Sequence, residues 1–192
     1  MSYALLRYAV AVKAPSVCAA SACAVLLVGC GTGPHFSDRA VSSSQCQLHA
    51  GVGQTITTRS FTMVVEIANG SETMYTQAQA HAEHPQSGEI MLGGSMTEVP
   101  LSSGPGTTGH HLELHVCRRS TGQVVSLASP TITVADISTS SPPVSVPVAV
   151  MQGVAAGPED VHYGNNVLLV PGHRYRVAVQ LDGESGESVV TA

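Results

Sequence analysis

Apolar and polar residues alternate along this chain in short runs cut by Gly, Pro, Asn and Ser, which is the two-residue period of a β-strand rather than the 3.6-residue period of a helix. Such runs cover Ser60 to Ala68 before Asn69-Gly70, Gly88 to Leu92 before Gly93-Gly94, and His110 to Arg118 before Ser120-Thr121-Gly122. Others span Gln123 to Leu127, Thr131 to Ile137, Val144 to Met151, Asn166 to Val170 and Arg174 to Leu181. Eight short runs with turn residues between them predict an all-β fold, an antiparallel β-sandwich. Segments 101–109 and 138–143, rich in Ser, Gly, Thr and Pro, read as loops. From Glu72 to His84, Thr, Gln and Ala alternate without an apolar face; a short surface helix or a loop fits, and a loop or strand is the expectation.

One run carries more than packing. In His110-His111-Leu112-Glu113-Leu114-His115 the alternation sets His111, Glu113 and His115 on one side of a strand, with Leu112, Leu114 and Val116 on the other. The first set forms a stripe that can ligate metal, backed by an apolar anchor. An antiparallel sheet with one wet face alternates in the same way, so a row of solvated or carboxylate-paired histidines is the competing reading.

Ahead of these runs, residues 1–29 have the layout of an export signal, with Arg7 and Lys13 before an apolar stretch from Ala14 through Val28. The stretch ends in Leu27-Val28-Gly29-Cys30, which resembles the bacterial lipobox and implies cleavage before Cys30 and lipid attachment to it. Residues 30–52, rich in Gly, Ser and Thr, read as a flexible tether, leaving 53–192 for one sandwich domain. Loss of Arg7 and Lys13 leaves six Arg against thirteen acidic residues, a formal charge of −7 that repels nucleic acid. Of five cysteines, two depart with the signal and Cys30 takes the lipid. Cys46 and Cys117 remain, and in an oxidising setting they are expected to pair; Cys117, which continues the parity of 111, 113 and 115, is alternatively a soft metal ligand.

Met151 ends an apolar run and is joined by a loop to His162, so a thioether and an imidazole stand at the two ends of one connection. Thioether sulfur selects cuprous copper, imidazole suits copper, zinc or iron, and carboxylate favours harder ions. A Met, two His and a Glu together suit copper, with iron and zinc as alternatives. For Met151 alone, core packing is the plain reading. Met91 and Met96 flank Gly93-Gly94, where a turn could bring two thioethers together, core packing again being the plain reading. His35, His49 and His173 fall in tether or turn contexts, and His81 and His84 in a segment without pattern, which suits exposed imidazoles.

In their order, His111-Leu112-Glu113, Met151, the stretch from Asp160-Val161-His162-Tyr163-Gly164 to Asn166-Val167, Pro171-Gly172 and Tyr175-Arg176-Val177 resemble the periplasmic iron-transport-associated, copper-binding protein family of bacteria (the Fe2+ transport protein family), over about residues 110–181. The resemblance implies an immunoglobulin-like β-sandwich, commonly a homodimer, that binds copper, with or without a second metal, and assists iron uptake. Position by position, His111, Glu113, Met151 and His162 match the family's ligands. The chain departs from the family in a longer loop between Met151 and His162, in Glu159-Asp160-Val161 where the family has Asp-Gly-Pro, and in having no counterpart of its aromatic-rich strand or of its late Arg-His segment. His115, His110 or a histidine from 81 to 84 could stand in for the ligand that this last segment supplies.

Templates for catalysis are missing: there is no Gly-x-Ser-x-Gly elbow, no phosphate-cradling Gly-rich Lys loop and no His-Glu-x-x-His. The expectation is therefore a binding protein rather than an enzyme. It would be lipid-anchored to the outer face of the bacterial cell membrane, hold copper for metal acquisition or tolerance, and work beside a membrane transporter. The alternative is a cell-envelope lipoprotein whose sandwich binds another protein and whose histidines are incidental.

Overall fold

The computed structural model describes residues 45–49, 52–102 and 104–192. The expected signal segment, Cys30 and most of the tether lie outside the described residues. No helix among the described residues is long and apolar enough to cross a membrane.

In chain order the elements are α1 (Gln45–His49), β1 (Gln54–Thr57), β2 (Phe61–Asn69), β3 (Met74–Thr76), α2 (Gln77–Glu83), β4 (Glu89–Gly93), β5 (Glu98–Pro100) and β6 (Thr108–Arg118). They continue with β7 (Thr131–Asp136), β8 (Val144–Val146), β9 (Ala149–Gly153), a single 3-10 turn (Pro158–Asp160), β10 (His162–Leu169), β11 (Arg174–Leu181) and β12 (Glu184–Thr191). The larger sheet has the order β1-β2-β6-β10-β9-β4-β3, with β5 also paired to β10; the smaller has the order β12-β11-β7-β8. Most pairings are antiparallel, β5 with β10 and β3 with β4 being the parallel ones. The fold is thus the all-β sandwich that the alternation predicts.

Between the sheets lies an apolar layer. Met63, Val65, Leu112, Leu114, Val116, Tyr163 and Val167 enter it from the larger sheet, and Ile132, Val134, Tyr175, Val177 and Val179 from the smaller. Each of these positions alternates with an outward one, so the apolar residues of the runs decide which face is buried. Near one corner the sheets come close enough that a Cβ on Gly186 of β12 would collide with Ile56 of β1. Glu184, just before it, accepts hydrogen bonds from the Ser60 amide and hydroxyl and so ties the β1–β2 turn to β12.

Several runs fold differently from expectation. Val144 to Met151 is two strands: β8 pairs with β7 in the smaller sheet and β9 with β10 and β4 in the larger. Pro147 stands at the break, where it can donate no ladder hydrogen bond and the chain can change sheets. Gln123 to Leu127 supplies only an isolated bridge between Val124 and Cys117. β12, with its Ser, Gly and Glu residues, gives no apolar alternation to read, and neither do the short β1, β3 and β5. The patternless 72–84 segment contains both β3 and α2. The helix is started by a capping box, in which the Thr76 hydroxyl accepts from the Gln79 amide and the Gln79 side chain accepts from the Thr76 amide.

Asp136 joins three loops at one end of the smaller sheet. Its carboxylate accepts from the Ser138 and Thr139 amides, from the Ser102 hydroxyl and from Nδ1 of His173. Burial pushes the Asp136 carboxyl up, but these donors outweigh it and hold it below its ordinary value of 3.8. Its contribution to stability is therefore complete above pH 3.8 and fades as pH falls through the lowered value. Asp136→Asn is expected to lose about 1–3 kcal/mol at pH 7 by leaving buried donors poorly matched. Denaturant unfolding should show the gap to wild type closing below that range.

Candidate metal centre

The outward face of the larger sheet is not a wet face. His111, His115 and His162 are almost completely inaccessible and Glu89 is 8% exposed, although all four turn away from the apolar layer. Register explains how they meet. Glu113 of β6 lies opposite Glu66 of β2 and Gly164 of β10, and His115 opposite Val64. His162 of β10 pairs with Met151 of β9, which pairs in turn with Met91 of β4. Glu89, two residues before Met91, shares its face. Close approach of β6 and β10 requires glycine at 164, where a Cβ would run into the Leu112 carbonyl oxygen.

The face is closed off by α1. A disulfide joins Cys46 to Cys117, two residues beyond His115, and with Val64 it forms a small apolar cluster there. Pairing, not metal ligation, is thus the state of Cys117. His49, on the same helix, stacks on His115 with ring centroids 3.7 Å apart. Its Nδ1 lies 3.1 Å from Glu66 Oε2 and its Nε2 3.9 Å from Asp160 Oδ1. Asp160 raises the His49 imidazole, burial opposes this, and Glu66 adds to the rise, leaving it at about 9. His49 is consequently an imidazolium held between carboxylates, not the exposed neutral imidazole expected in a tether.

Three imidazoles beneath this cover have their tautomers set by their neighbours. The Asn166 side chain donates from Nδ2 to the Glu72 carbonyl and accepts at Oδ1 from the Glu72 amide, which fixes its orientation. His111 Nδ1, 2.9 Å from the same Oδ1, must therefore donate. His162 Nδ1 donates to the Asp160 carbonyl at 2.8 Å, and His115 Nε2 to Glu113 Oε2 at 3.0 Å. In each ring the other nitrogen is left over. Those atoms, His111 Nε2, His162 Nε2 and His115 Nδ1, are buried without a hydrogen-bond partner, and so is Glu89 Oε2.

These donors fall into overlapping groups. One ligand atom each from Glu89, His111 and His162 lie within 4.8 Å of one another, as do those of His115, Asp160 and His162, and those of His49, Glu66, Glu113 and His115. His162 Nε2 and Glu89 Oε2 are 3.5 Å apart without forming a hydrogen bond. Burial, helped by the charges of Glu113, Asp160 and Glu72, pushes the Glu89 carboxyl up to about 8. Burial also depresses the His162 imidazole, against the pull of Glu113. For Glu113 and Asp160 burial acts upward, but hydrogen bonds and the adjacent imidazoles prevail and hold both below their ordinary values. The result is an imidazole of His162 held toward its neutral form and a protonated Glu89 carboxyl beside the ionised carboxylates of Glu113 and Asp160, an arrangement that attracts a cation and can ligate it through nitrogen and oxygen.

Of the residues singled out from sequence, His111, Glu113, Met151, His162 and His115 share this face. His110 has the opposite parity and bonds through Nε2 to the Thr108 hydroxyl, so it takes no part in the cluster. His81 on exposed α2 and His84, which caps its C-terminal end, have ring centroids 6.2 Å apart. Glu89, Glu66, Asp160 and His49 were not identifiable as members. Glu66 interrupts an apolar run with a single outward carboxylate, and His49 sits three residues after a pairing cysteine; these are the only signals they give.

The disulfide encloses a sequence separation of 71 residues. In the chain-entropy model its removal costs about 4 kcal/mol. A Cys46→Ala, Cys117→Ala variant is expected to unfold at correspondingly lower denaturant and to exchange the amides of β2 and β6 faster, since this bond is the covalent hold of α1 on the sheet, beside the contacts of His49 with Glu66 and His115. Unchanged hydrogen exchange there would contradict the covering role of α1.

No protein-family model, no curated protein and no solved structure matches this chain.

Proposed function

We propose that this protein binds a transition metal ion, copper before iron or zinc, among His111, His162 and Glu89 with Met151 alongside and Glu113 and His115 at its border, and that it binds rather than catalyses. The carrying observation is the set of unpartnered buried imidazole nitrogens. An unpartnered buried polar atom costs about 1–3 kcal/mol, and of the four buried imidazole nitrogens without a partner among the described residues three lie together on this face, the fourth being Nδ1 of His110 on the opposite one. Here three rings donate outward from one nitrogen, to a carbonyl, an amide oxygen and a carboxylate, and leave the other unpaired. Donation of that kind is how proteins orient metal-ligating histidines.

The motifs of residues 110–181 that resemble the iron-transport-associated copper-binding family agree with this reading, while no family model matches the chain. The Tyr175 hydroxyl accepts from the Val170 amide, a contact of the tyrosine-corner type that supports the immunoglobulin-like form of the sandwich alone. Bound at these residues, copper would be held by imidazole nitrogen in either oxidation state, by thioether when monovalent and by carboxylate when divalent. Glu89 would lose its proton on ligation. On this reading the chain is tethered through Cys30 to the outer face of a bacterial cell membrane and serves a membrane transporter in iron or copper acquisition, or in metal tolerance, as a monomer or homodimer.

Titration of the full chain with copper, followed by metal analysis after desalting, is expected to show retained copper in wild type and none in a His111→Ala, His162→Ala variant. Equal retention by both would remove the proposed site. Asn166→Ala, which frees the His111 ring to turn, should weaken retention by about 10–100-fold, with a chelator competition as the readout.

A further inference from the structure

We propose that Met91 is a further donor of this centre, and that together with Met151 it forms a thioether flank selective for monovalent copper. The inference rests on the metal-binding reading above and adds a residue and an oxidation state to it.

The sheet aligns Met91, Met151 and His162 as consecutive cross-strand partners on β4, β9 and β10. Partners of this kind have their Cβ atoms about 5 Å apart, within reach of a methionine side chain. β4 already reaches the centre, because Glu89 on the same face supplies an oxygen within 4.8 Å of the His111 and His162 nitrogens. Burial grades along the row: Met91 is partly buried, while Met151 has no exposed surface and His162 1%.

Packing does not account for these two methionines as it does for Met63. Met63 belongs to the apolar layer between the sheets, whereas neither Met91 nor Met151 belongs to that layer or to the smaller apolar cluster under α1. They lie instead on the face that holds the histidines and carboxylates. The β4 and β9 side of the centre therefore brings two thioethers beside the Glu89 carboxyl, whereas the β2 and β6 side brings only the carboxylates of Glu66 and Glu113 and no sulfur. Soft thioether sulfur prefers Cu(I), and carboxylate oxygen prefers the divalent ion. Met96, also five residues along in sequence, is 39% exposed and outside the strand, so it is not part of the row.

The test compares the full chain with Met91→Leu and Met96→Leu, since leucine conserves volume and removes only the sulfur. Affinity for Cu(I) is measured anaerobically against a chromogenic cuprous chelator, affinity for Cu(II) by competition with an amino-acid chelator, and folding by the thermal midpoint. Met91→Leu is expected to lose Cu(I) affinity by about tenfold or more, the lower end of what removing even a group behind a ligand costs. Cu(II) affinity and the midpoint should stay at wild-type values, and Met96→Leu should match wild type throughout. Wild-type Cu(I) affinity in Met91→Leu would overturn the proposal, as would an equal loss for both ions or a lowered midpoint, which marks a packing role. A wild-type chain that retains neither ion would instead overturn the metal-binding reading itself.

Discussion

The register of β6 against β10 is the constraint on which the rest of this structure depends. Leu114 faces Tyr163 and Leu112 faces Asn165 across that ladder, and the parity this imposes sends His111, Glu113, His115 and His162 to one side together. Because side chains alternate strictly, a slip by one residue would bring the imidazoles among the leucines and valines and turn Tyr163 outward. The apolar layer between the sheets thus does two things at once. It supplies the main driving force for folding, and it fixes which donors share the opposite face.

That opposite face is unusual for a sandwich in being buried and polar. Antiparallel sheets commonly leave one side to water, where histidines and glutamates would be solvated and would need no partners. Here α1, the 3-10 turn and the edge residues cover it, so each charge and lone pair must be met by another group. His49 meets Glu66 and Asp160, Glu113 meets His115, and Asn166 meets both Glu72 and His111. What is left over is confined to a few nitrogen and oxygen atoms around His162, and that localisation gives the face its chemical character.

Much of this could be read from the residues in order. The β-strand period identified β2, β4, β6, β7 and β11 because each has an apolar set on one parity, and the stripe of His111, Glu113 and His115 followed from the same rule. The element His162-Tyr163-Gly164-Asn165-Asn166 drew notice as a motif, and each member has a physical task. His162 is a donor, Tyr163 fills the core, Gly164 admits the neighbouring strand, Asn165 braces Ser95 and Pro147, and Asn166 orients His111. Glu89 was illegible because it enters from a strand whose neighbours in space are far away in sequence, and Asp160, although it stands in the stretch that leads to His162, shows its carboxylate's role only through the remote His49. His49 was misread because a Ser- and Gly-rich surrounding says nothing about a covalent link three residues earlier. Pro147 carried a readable warning about the Val144 to Met151 run, since a proline seldom sits inside a paired central strand.

The bond from Cys46 to Cys117 gives the molecule a history as well as a shape. Thiols stay reduced where glutathione and thioredoxin are abundant and become linked where they are not. With its thiols reduced, the chain would have its sheets and its row of imidazoles, yet no covalent hold on the segment that roofs them. With the pair formed the roof is locked, so access beneath it depends on the redox state of a single sulfur pair.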